Sequence, residues 1–430
     1  MGYHVPEEET LDPRGLEQLQ RRKLAALLEQ VLATNTFYRS KFAGLRFDPL
    51  HDPLDRLPFT TRAELEHDQR DHPPYGTNLT FPLERYTRLH QTSASGGGAP
   101  LRWLDTPESW AWFKRCWRII YAAADVTAAD RIVFPFSFGP FIGFWGAFEA
   151  GCDLGALCLS AGGMTTSARL RYLLDHAVTV VCCTPTYALH MAEVAAAEGL
   201  DLRGSAVRAL IVAGEPGGSI PATRNRIEDA WGARIFDHAG MTEIGAWGFE
   251  PVELAPAARG MLVIESEFIA EAIHPQTLAP VRDGQTGELV LTNLGRIGSP
   301  LIRYRTGDIV RLTRGRCVAG RWFAFAEGGV LGRSDDMLIV RGNNVFPSAI
   351  EDILREIPEL AEFRLCITQP AALAELQIEV EPTPGTDGGK LVERVTNAVR
   401  DRLNFRPDVA AVPPGSLPRF EHKARRVVRR

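Results

Sequence analysis

The sequence predicts an α/β protein. A large N-terminal domain at 1–332, with a mainly parallel sheet and a β-rich subdomain at about 255–330, is followed by a small α+β domain at 333–430. From 130 to 240, short apolar runs alternate with runs of helical spacing, which is the pattern of βαβ units. From 260 to 330, glycine-rich turns separate strand patterns without helices between them. Strand and helix patterns mix again after that.

The order of elements follows from hydrophobic spacing and turn residues. Gly15–Thr34 repeats apolar residues at helical spacing, and the segment at 57–65 predicts a helix with Thr60 or Thr61 as its N-cap. Ser109–Ala124 is a helical pattern rich in aromatic residues. The predicted βαβ region has strands at Arg131–Phe136, Val178–Cys183 and Ala206–Ala213, and helices at Ala168–His176, Tyr187–Glu198 and Ala222–Trp231.

The β-rich region and the C-terminal region differ in their patterns. The first has predicted strands at Met261–Glu265, Gly287–Leu291 and Asp308–Leu312. The second has predicted strands at Met337–Val340, Arg364–Ile367 and Gln377–Val380, and helices at Pro347–Glu356 and Leu391–Leu403.

Composition excludes several classes of protein. The chain has 430 residues, of which 45% are hydrophobic and 23% charged, as in globular enzymes and unlike disordered or collagen-like chains. The formal net charge of −5 provides no basic excess for binding nucleic acid or an anionic membrane. We therefore expect neither partner.

The expected location is the cytoplasm. The N-terminal segment MGYHVPEEETLDPRG lacks a basic run followed by an apolar core, so no signal peptide is predicted. Ile132–Phe148 and His176–Ala192 carry no charge, but prolines and glycines interrupt them, and we interpret both as buried strands and turns. Seven cysteines without a CxxC pair fit a reducing compartment.

Two segments have the composition of anion-binding loops. QTSASGGGAP at 91–100 could close backbone N–H groups around a phosphate, although by itself it is better explained as a surface loop. AGEPGG at 213–218 follows a predicted parallel strand, where ligands sit in open α/β sheets, although it could be a plain strand-to-helix turn.

Two further segments place acidic residues near strand ends. FDHAGMTEIG at 236–245 puts Thr242 beside Glu243, which could hold phosphate and Mg²⁺ or could form a capping cluster. In IRYRTGDIV, Asp308 could accept hydrogen bonds from ribose hydroxyls, or it could pair with Arg303 or Arg305. The basic segment at 418–430 would by itself be interpreted as a solvated tail.

The joint order of these motifs resembles the adenylate-forming superfamily, and within it the phenylacetate–coenzyme A ligase branch. The segments most similar to that branch are TNTFYRSKF at 34–42, LPFTTRAEL at 57–65, PLIRYRTGD at 300–308 and GRSDDMLIVRGNNVFPSAIE at 332–351. The resemblance implies an enzyme that joins a carboxylic acid to ATP, with Mg²⁺, as an acyl-adenylate and pyrophosphate. A thiol, most commonly that of coenzyme A, then displaces AMP.

The resemblance also implies roles for individual residues. Lys423 matches the lysine that bridges carboxylate and α-phosphate, and Asp335 lies where the hinge of a mobile C-terminal domain is found. Thr242 matches the phosphate-binding hydroxyl and Glu243 the Mg²⁺ carboxylate, while Asp308 matches the ribose ligand. The remaining nucleotide-binding matches are Arg333, Ser93, Ser95, Gly96, Gly97, Gly98, Gly214, Glu215, Pro216, Asp237 and His238.

The pocket for the acid is expected in an aromatic segment, which favours an aromatic or otherwise flat apolar acid as the substrate. Only alternate residues of a strand can face one side, so part of this segment belongs to the core. The matched pocket residues are Phe134, Phe136, Phe138, Phe141, Ala213, Ala239 and Gly240.

The sequence departs from the family at two places. The loop at 93–98 lacks the threonines and lysine that grip pyrophosphate, which puts ATP use in question. The positions of a zinc site in many relatives hold Pro251, Leu262, Cys317 and Ala319, so no zinc is expected. Loading of a carrier-protein phosphopantetheine thiol, and a non-catalytic protein that binds an acyl-adenylate or CoA ester, stay open as alternatives. A homodimer is also possible.

Overall fold

The chain folds as α/β, as the sequence predicts, in a computed structural model that describes residues 2–92, 99–254, 258–315, 317–334, 338–340, 343–368, 375–403, 405–420 and 424–429. The part before the βαβ region consists of α1 (Pro6–Glu9), α2 (Pro13–Thr34), α3 (Thr36–Lys41), α4 (Arg62–Asp71), β1 (Arg88–Gln91), β2 (Arg102–Asp105) and α5 (Pro107–Ala123). The predicted helices at 15–34 and 109–124 correspond to α2 and α5. Thr61 caps α4 in a capping box with Glu64.

A parallel sheet forms the centre of the fold. Its elements are β3 (Arg131–Phe134), α6 (Trp145–Leu154), β4 (Leu157–Ser160), α7 (Thr166–Asp175), β5 (Val180–Cys183), α8 (Pro185–Glu198), β6 (Ala209–Val212), α9 (Pro221–Trp231) and β7 (Arg234–Met241). The spatial order is β4-β3-β5-β6-β7, with all neighbours parallel. Val212 at the end of β6 lies opposite Asp237 of β7.

Both faces of this sheet are buried. In β5, Val180 and Cys182 face one apolar cluster, whereas Val181 and Cys183 face another on the opposite side. A strand covered on both faces has no polar side, which explains why these strands appear in the sequence as unbroken apolar runs.

The β-rich region extends the same sheet. Its strands are β8 (Gly245–Phe249), β9 (Gly260–Val263), β10 (Phe268–Ile273), β11 (Thr286–Asn293), β12 (Tyr304–Thr313), β13 (Phe325–Glu327) and β14 (Gly332–Arg333). Because β8 pairs antiparallel with β7, the described sheet continues without a break from the parallel to the antiparallel part, and it contains 12 strands. β14 pairs with β12.

The helices α1, α3 and α6 were not predicted from the sequence. The uncharged stretch at 132–148 was expected to contain strands and turns, but α6 begins within it at Trp145. Gly146 lies so close to α5 that an added Cβ would be 2.2 Å from the Phe113 ring. Glycine is a poor helix former, and this position is helical because α6 packs tightly on α5.

The C-terminal region has its own sheet. Its elements are β15 (Leu338–Val340), β16 (Asn343–Val345), α10 (Pro347–Arg355), β17 (Leu360–Thr368), β18 (Glu375–Pro382), α11 (Gly388–Leu403), β19 (Asp408–Ala411) and β20 (Val427–Arg429). Strands β19-β18-β17-β20 form one sheet, so part of the basic segment at 418–430 is a paired strand. α10 packs against α9 of the larger part. The predicted boundary at 332–333 coincides with β14 and stays a prediction. No helix in the described ranges is long and apolar enough to cross a bilayer.

Candidate active site

Most of the predicted site residues lie at the carboxyl edge of the parallel strands. The loop after β6 carries Ala213, Gly214, Glu215 and Pro216, and the last half of β7 carries Asp237 to Gly240. The turn between β7 and β8 carries Thr242 and Glu243. The sequence predicted Asp237 and His238 at a strand end, and in the structure they lie within β7, which runs on to Met241.

Ser93, Ser95, Gly96, Gly97, Gly98, Asp335 and Lys423 lie outside the described residues. Their predicted roles stay predictions. The segments that flank them are described, and these flanks carry contacts that the sequence did not reveal.

A buried ion pair contacts the backbone of the Thr242–Glu243 turn. Arg296 donates from Nε to Asp105 Oδ1 at 2.7 Å and from Nη2 to Oδ2 at 2.6 Å, and both side chains are 0% exposed. The third guanidinium nitrogen donates to the Thr242 carbonyl at 2.6 Å. The bidentate pair with Asp105 fixes the Arg296 guanidinium, which in turn holds the backbone of the turn at the Thr242 carbonyl.

Glu243 faces a hydroxyl and a cation. Its side chain is buried, and its Oε1 accepts a hydrogen bond from the Tyr304 hydroxyl at 2.9 Å. Burial and the neighbouring Glu243 raise the pKa of Tyr304 well above its usual value, so the phenol keeps its proton and donates. Arg62 Nη1 lies 4.0 Å from the same oxygen.

Arg62 also contacts both flanks of the glycine-rich loop. Its Nη2 lies 3.4 Å from Thr92 Oγ1 and 3.5 Å from the Ala99 carbonyl. The one signal in the sequence near Arg62 is the capping threonine Thr61, which makes Arg62 the first residue of α4. Its distance from the loop in sequence concealed the contact.

Asp308 and Arg333 come together on neighbouring strands. They are opposite each other in the β12–β14 pair, and Arg333 Nη1 donates to Asp308 Oδ1 at 3.2 Å. The alternative partners considered from the sequence bind elsewhere, since Arg303 pairs with Glu271 and Arg305 with Glu288. The predicted ribose ligand therefore stands beside the predicted arginine.

Asp237 is a buried acid with an altered pKa. Burial raises its pKa to about 7, helped by Glu250, while the hydrogen bond from Ser219 and the charge of Arg224 act in the opposite direction. An added Cβ at Gly218 would lie 2.4 Å from Asp237 Oδ1, so only glycine allows the loop after β6 to approach this closely.

Glu215 joins two distant segments. Its Oε1 accepts from the Thr186 amide at 2.9 Å, and its Oε2 accepts from the Ala424 amide at 2.7 Å. Both carboxylate oxygens therefore have backbone partners. The resemblance implies a place on the adenine side for this residue, and the structure adds a bond to the segment after Lys423.

The aromatic residues of the segment expected to line the acid pocket differ in how far they are buried. Phe134 is fully buried and packs against Phe138, with ring centroids 6.3 Å apart, which makes it part of the core. Phe136 contacts Phe138 edge-on at 5.5 Å, and both are partly exposed. Phe141 is 42% exposed. Of the predicted pocket residues, Phe136 and Phe138 are thus the best placed to meet a ligand.

His238 is a neutral acceptor beside these aromatic residues. Its ring centroid is 4.4 Å from that of Trp117, which in turn contacts Phe144. Burial lowers the pKa of His238 to about 4, and its Nδ1 donates to the Gly248 carbonyl at 2.7 Å. Nε2 therefore carries the lone pair, and it faces Gly240, where an added Cβ would lie 3.5 Å away. The described residues offer Nε2 no hydrogen-bond donor.

Metal ligands are sparse. Within the described ranges, no three His, Cys, Asp or Glu side chains cluster as ligands for a metal ion. Mg²⁺ bound with a nucleotide needs only one or two protein carboxylates, because phosphates and waters complete its shell. A single buried carboxylate such as Glu243 fits that requirement.

The chain is similar to known proteins over nearly its whole length. Residues 109–295 match the model of the AMP-binding enzymes, and 342–430 match that of the AMP-binding enzyme C-terminal domain. Phenylacetate-coenzyme A ligase of Thermus thermophilus is 30% identical over 450 aligned residues, which cover 99% of both chains. This chain belongs to the phenylacetate–CoA ligase family. The Escherichia coli phenylacetate-coenzyme A ligase is 29% identical, with 97% of this chain and 96% of the relative covered.

A solved structural relative indicates which conformation the structure resembles. 2-Hydroxyisobutyryl-CoA ligase in the postadenylation state with 2-HIB-AMP superposes with a TM-score of 0.92 at 27% identity, covering 99% of this chain and 92% of that one. The same ligase with 2-HIB-AMP and CoA in the thioesterification state gives 0.73 at 28% identity, covering 99% and 91%. The structure of the present chain thus resembles that ligase more closely in its postadenylation state than in its thioesterification state.

Proposed function

We propose that the protein activates a carboxylic acid with ATP and transfers the acyl group to coenzyme A. The observation that carries this is that β12 carries both Asp308, which pairs with Arg333, and Tyr304, which bonds to Glu243 beside Thr242. The chain also matches CoA ligases over nearly its whole length. A non-catalytic binding protein has no need for so many charged groups around one site.

The first step joins the acid to the nucleotide. A carboxylate oxygen attacks the α-phosphorus of ATP, the bond to the β-phosphate oxygen breaks, and pyrophosphate leaves with its electron pair. Asp308 binds the ribose hydroxyls, with Arg333 beside it, and Thr242 donates its hydroxyl to a phosphate oxygen. These groups orient the α-phosphorus before reaction, which is the main contribution that a protein makes to such transfers.

Glu243 would hold Mg²⁺ when ATP is bound. The ion would supply positive charge to the phosphates, as in other phosphoryl-transfer sites. Tyr304 donates to one oxygen of Glu243 and so orients the carboxylate.

The second step exchanges AMP for a thiol. The sulfur attacks the acyl carbon, the carbon–oxygen bond to AMP breaks, and the thiol proton is lost to solvent or base. Coenzyme A is the acceptor that we favour, because the matched relatives are CoA ligases over nearly their full length. A carrier-protein phosphopantetheine is the alternative acceptor. Free cysteines, with Cys152 and Cys317 exposed, support a reducing cytoplasmic location.

We assign an aromatic acid as the substrate, because Phe136 and Phe138 are partly exposed aromatic residues that contact each other edge-on in the segment expected to line the acid pocket. The solved 2-hydroxyisobutyryl-CoA ligase shows that a structural relative of this chain is named for a small hydroxy acid. Pyrophosphate release measured with a panel of aromatic and hydroxy acids, followed by thioester formation with CoA, tests the function. A chain that releases no pyrophosphate with any acid but binds a synthetic acyl-adenylate would be the non-catalytic alternative.

His238 should distinguish acids that carry a hydrogen-bond donor. His238→Phe keeps a ring against Trp117 and removes the Nε2 acceptor. We expect kcat/KM for a hydroxylated aromatic acid to fall about tenfold, in line with one lost neutral hydrogen bond, with little change for the unsubstituted acid. Competition between the two acids measures the change directly. Equal effects on both acids would mean that His238 serves packing only.

Arg62 should supply the cation that the glycine-rich loop lacks. Arg62→Ala is expected to lower kcat/KM for ATP about 10- to 100-fold, because a charge-assisted contact to phosphate is lost. Conversion of a synthetic acyl-adenylate to thioester should be unchanged. Arg102→Ala is the matched control, since Arg102 is exposed and donates to the Pro74 carbonyl at 2.9 Å. Loss of ATP use in the control but not in Arg62→Ala would refute this assignment.

A further inference from the structure

The segment after Lys423 is tied to the large domain through a carboxylate. Ala424 donates its amide to Glu215 Oε2 at 2.7 Å, and the Thr186 amide donates to Oε1 at 2.9 Å. Thr186 lies in the first turn of α8, whose amides have no partner within the helix. One side chain on the loop after β6 thus bridges α8 and the chain that leads into β20.

A second contact runs beside the first. Arg426 is buried, and its Nη1 donates to Thr186 Oγ1 at 3.1 Å. Glu362 accepts from the same guanidinium at 2.8 and 3.0 Å, and Glu351 accepts at 3.2 Å. Arg426 is therefore anchored mainly inside the C-terminal region, where Glu362 and Glu351 lie. The contact at Glu215 is the one that reaches the backbone next to Lys423.

These bonds belong to one arrangement of the two regions. The chain superposes on 2-hydroxyisobutyryl-CoA ligase with a TM-score of 0.92 in the postadenylation state and 0.73 in the thioesterification state. A relative with two such arrangements makes the contacts between the regions candidates for bonds that serve one step and not the other.

We propose that Glu215 is a positioning residue for the adenylation step alone: it holds the backbone of Ala424, the residue that directly follows Lys423 in the chain, against the large domain. Thioester formation proceeds with this contact released. The inference rests on the proposed acid activation and adds a residue whose role depends on the state of the enzyme.

The chemistry of the contact makes Glu215→Gln a sharp probe. Both partners of the carboxylate are amide N–H donors, so both oxygens must accept. A glutamine has one acceptor oxygen and one NH₂ group, and it leaves either Thr186 or Ala424 facing a donor. Size and shape are almost unchanged, so packing is preserved.

The test separates the two half-reactions with the full chain. Glu215→Gln should lower the rate of acid-dependent pyrophosphate release about 10- to 100-fold at saturating ATP and acid, as expected for loss of a charge-assisted hydrogen bond. Conversion of a synthetic acyl-adenylate and CoA to thioester should stay within about twofold of the parent, because that step does not use the bond.

Two further variants test whether the Glu215–Ala424 hydrogen bond causes the defect. Ala424→Pro removes the amide donor from the other side and should reproduce the adenylation defect without altering Glu215. Glu193→Gln is the matched control, because Glu193 lies 3.7 Å from Arg419 across the same interface without contacting the Ala424 segment. It should leave both half-reactions unchanged.

The outcomes distinguish this inference from the function on which it rests. A parent enzyme that releases no pyrophosphate with any acid overturns the proposed function. An active parent in which Glu215→Gln slows both half-reactions equally, or neither, overturns the role of Glu215. Equal melting temperatures of parent and variant exclude unfolding as the cause of a selective defect.

Discussion

Lys423→Ala should reduce acid-dependent pyrophosphate release by about 100- to 1,000-fold, the loss found when one preorganised charge-stabilising group is removed. Two anions, the carboxylate and the α-phosphate, must approach each other in this step. A compact ammonium between them offsets their repulsion. Lys423 immediately precedes Ala424, whose amide is bound by Glu215, so the chain is held next to the lysine. The effect is checked by measuring the rate of pyrophosphate release by the parent and the variant with the parent's preferred acid.

The same variant should still convert a synthetic acyl-adenylate and CoA to thioester, because the carboxylate and phosphate are already joined. Arg425→Ala is the control for position and charge, since Arg425 is exposed two residues further along the segment. It should leave adenylation nearly intact. Loss of both half-reactions in a folded Lys423→Ala protein would contradict the assigned role.

Arg296→Ala should destabilise the protein by about 3–5 kcal/mol, the cost of removing one partner of a buried ion pair. Asp105 would be left charged with no exposed surface, and the Thr242 carbonyl would lose its donor at 2.6 Å. We expect a fall in Tm of about 3–6 °C in thermal unfolding. The Thr242–Glu243 turn would also lose its support, so adenylation by the folded fraction should slow.

A comparison with an exposed pair separates burial from charge. Arg85 pairs with Glu108 at 2.9 Å, but the side chains are 53% and 62% exposed. Arg85→Ala should therefore change the free energy of unfolding by no more than about 1 kcal/mol. The double variant Arg296→Met with Asp105→Leu should lose less stability than Arg296→Ala, because no uncompensated charge is left in the interior. Similar losses in Arg85→Ala and Arg296→Ala would contradict this account.

Patterns local in sequence were sufficient for most elements. Runs of apolar residues predicted β5 and β6, because a strand covered on both faces needs no polar side. Capping residues predicted α4, where Thr61 and Glu64 bond reciprocally. The same information was insufficient for α6, because Gly146 opposes a helix locally and only its fit against α5 makes that segment helical.

Motif order was likewise sufficient for the family and for the strand-edge residues. Thr242, Glu243, Asp308 and Arg333 could be named from the sequence because each lies in a short motif of its own. The residues that hold them could not be named. Tyr304 lies in the same motif as Asp308, but the motif does not show its contact with Glu243. Arg296 and Asp105 contact the site from segments far away in the chain.

The sequence by itself determined the fold class, the order of most helices and strands, the family and the residue types at the strand edge. These properties depend on hydrophobic periodicity and on short motifs, and both can be identified from residues that are close together in the sequence. Only the tertiary structure decided that Glu215 bonds to Ala424, that Arg62 stands at the flanks of the glycine-rich loop, and that His238 is a neutral acceptor against Trp117. Those contacts join residues separated by tens to hundreds of positions, and their formation depends on the packing of whole elements rather than on any local preference.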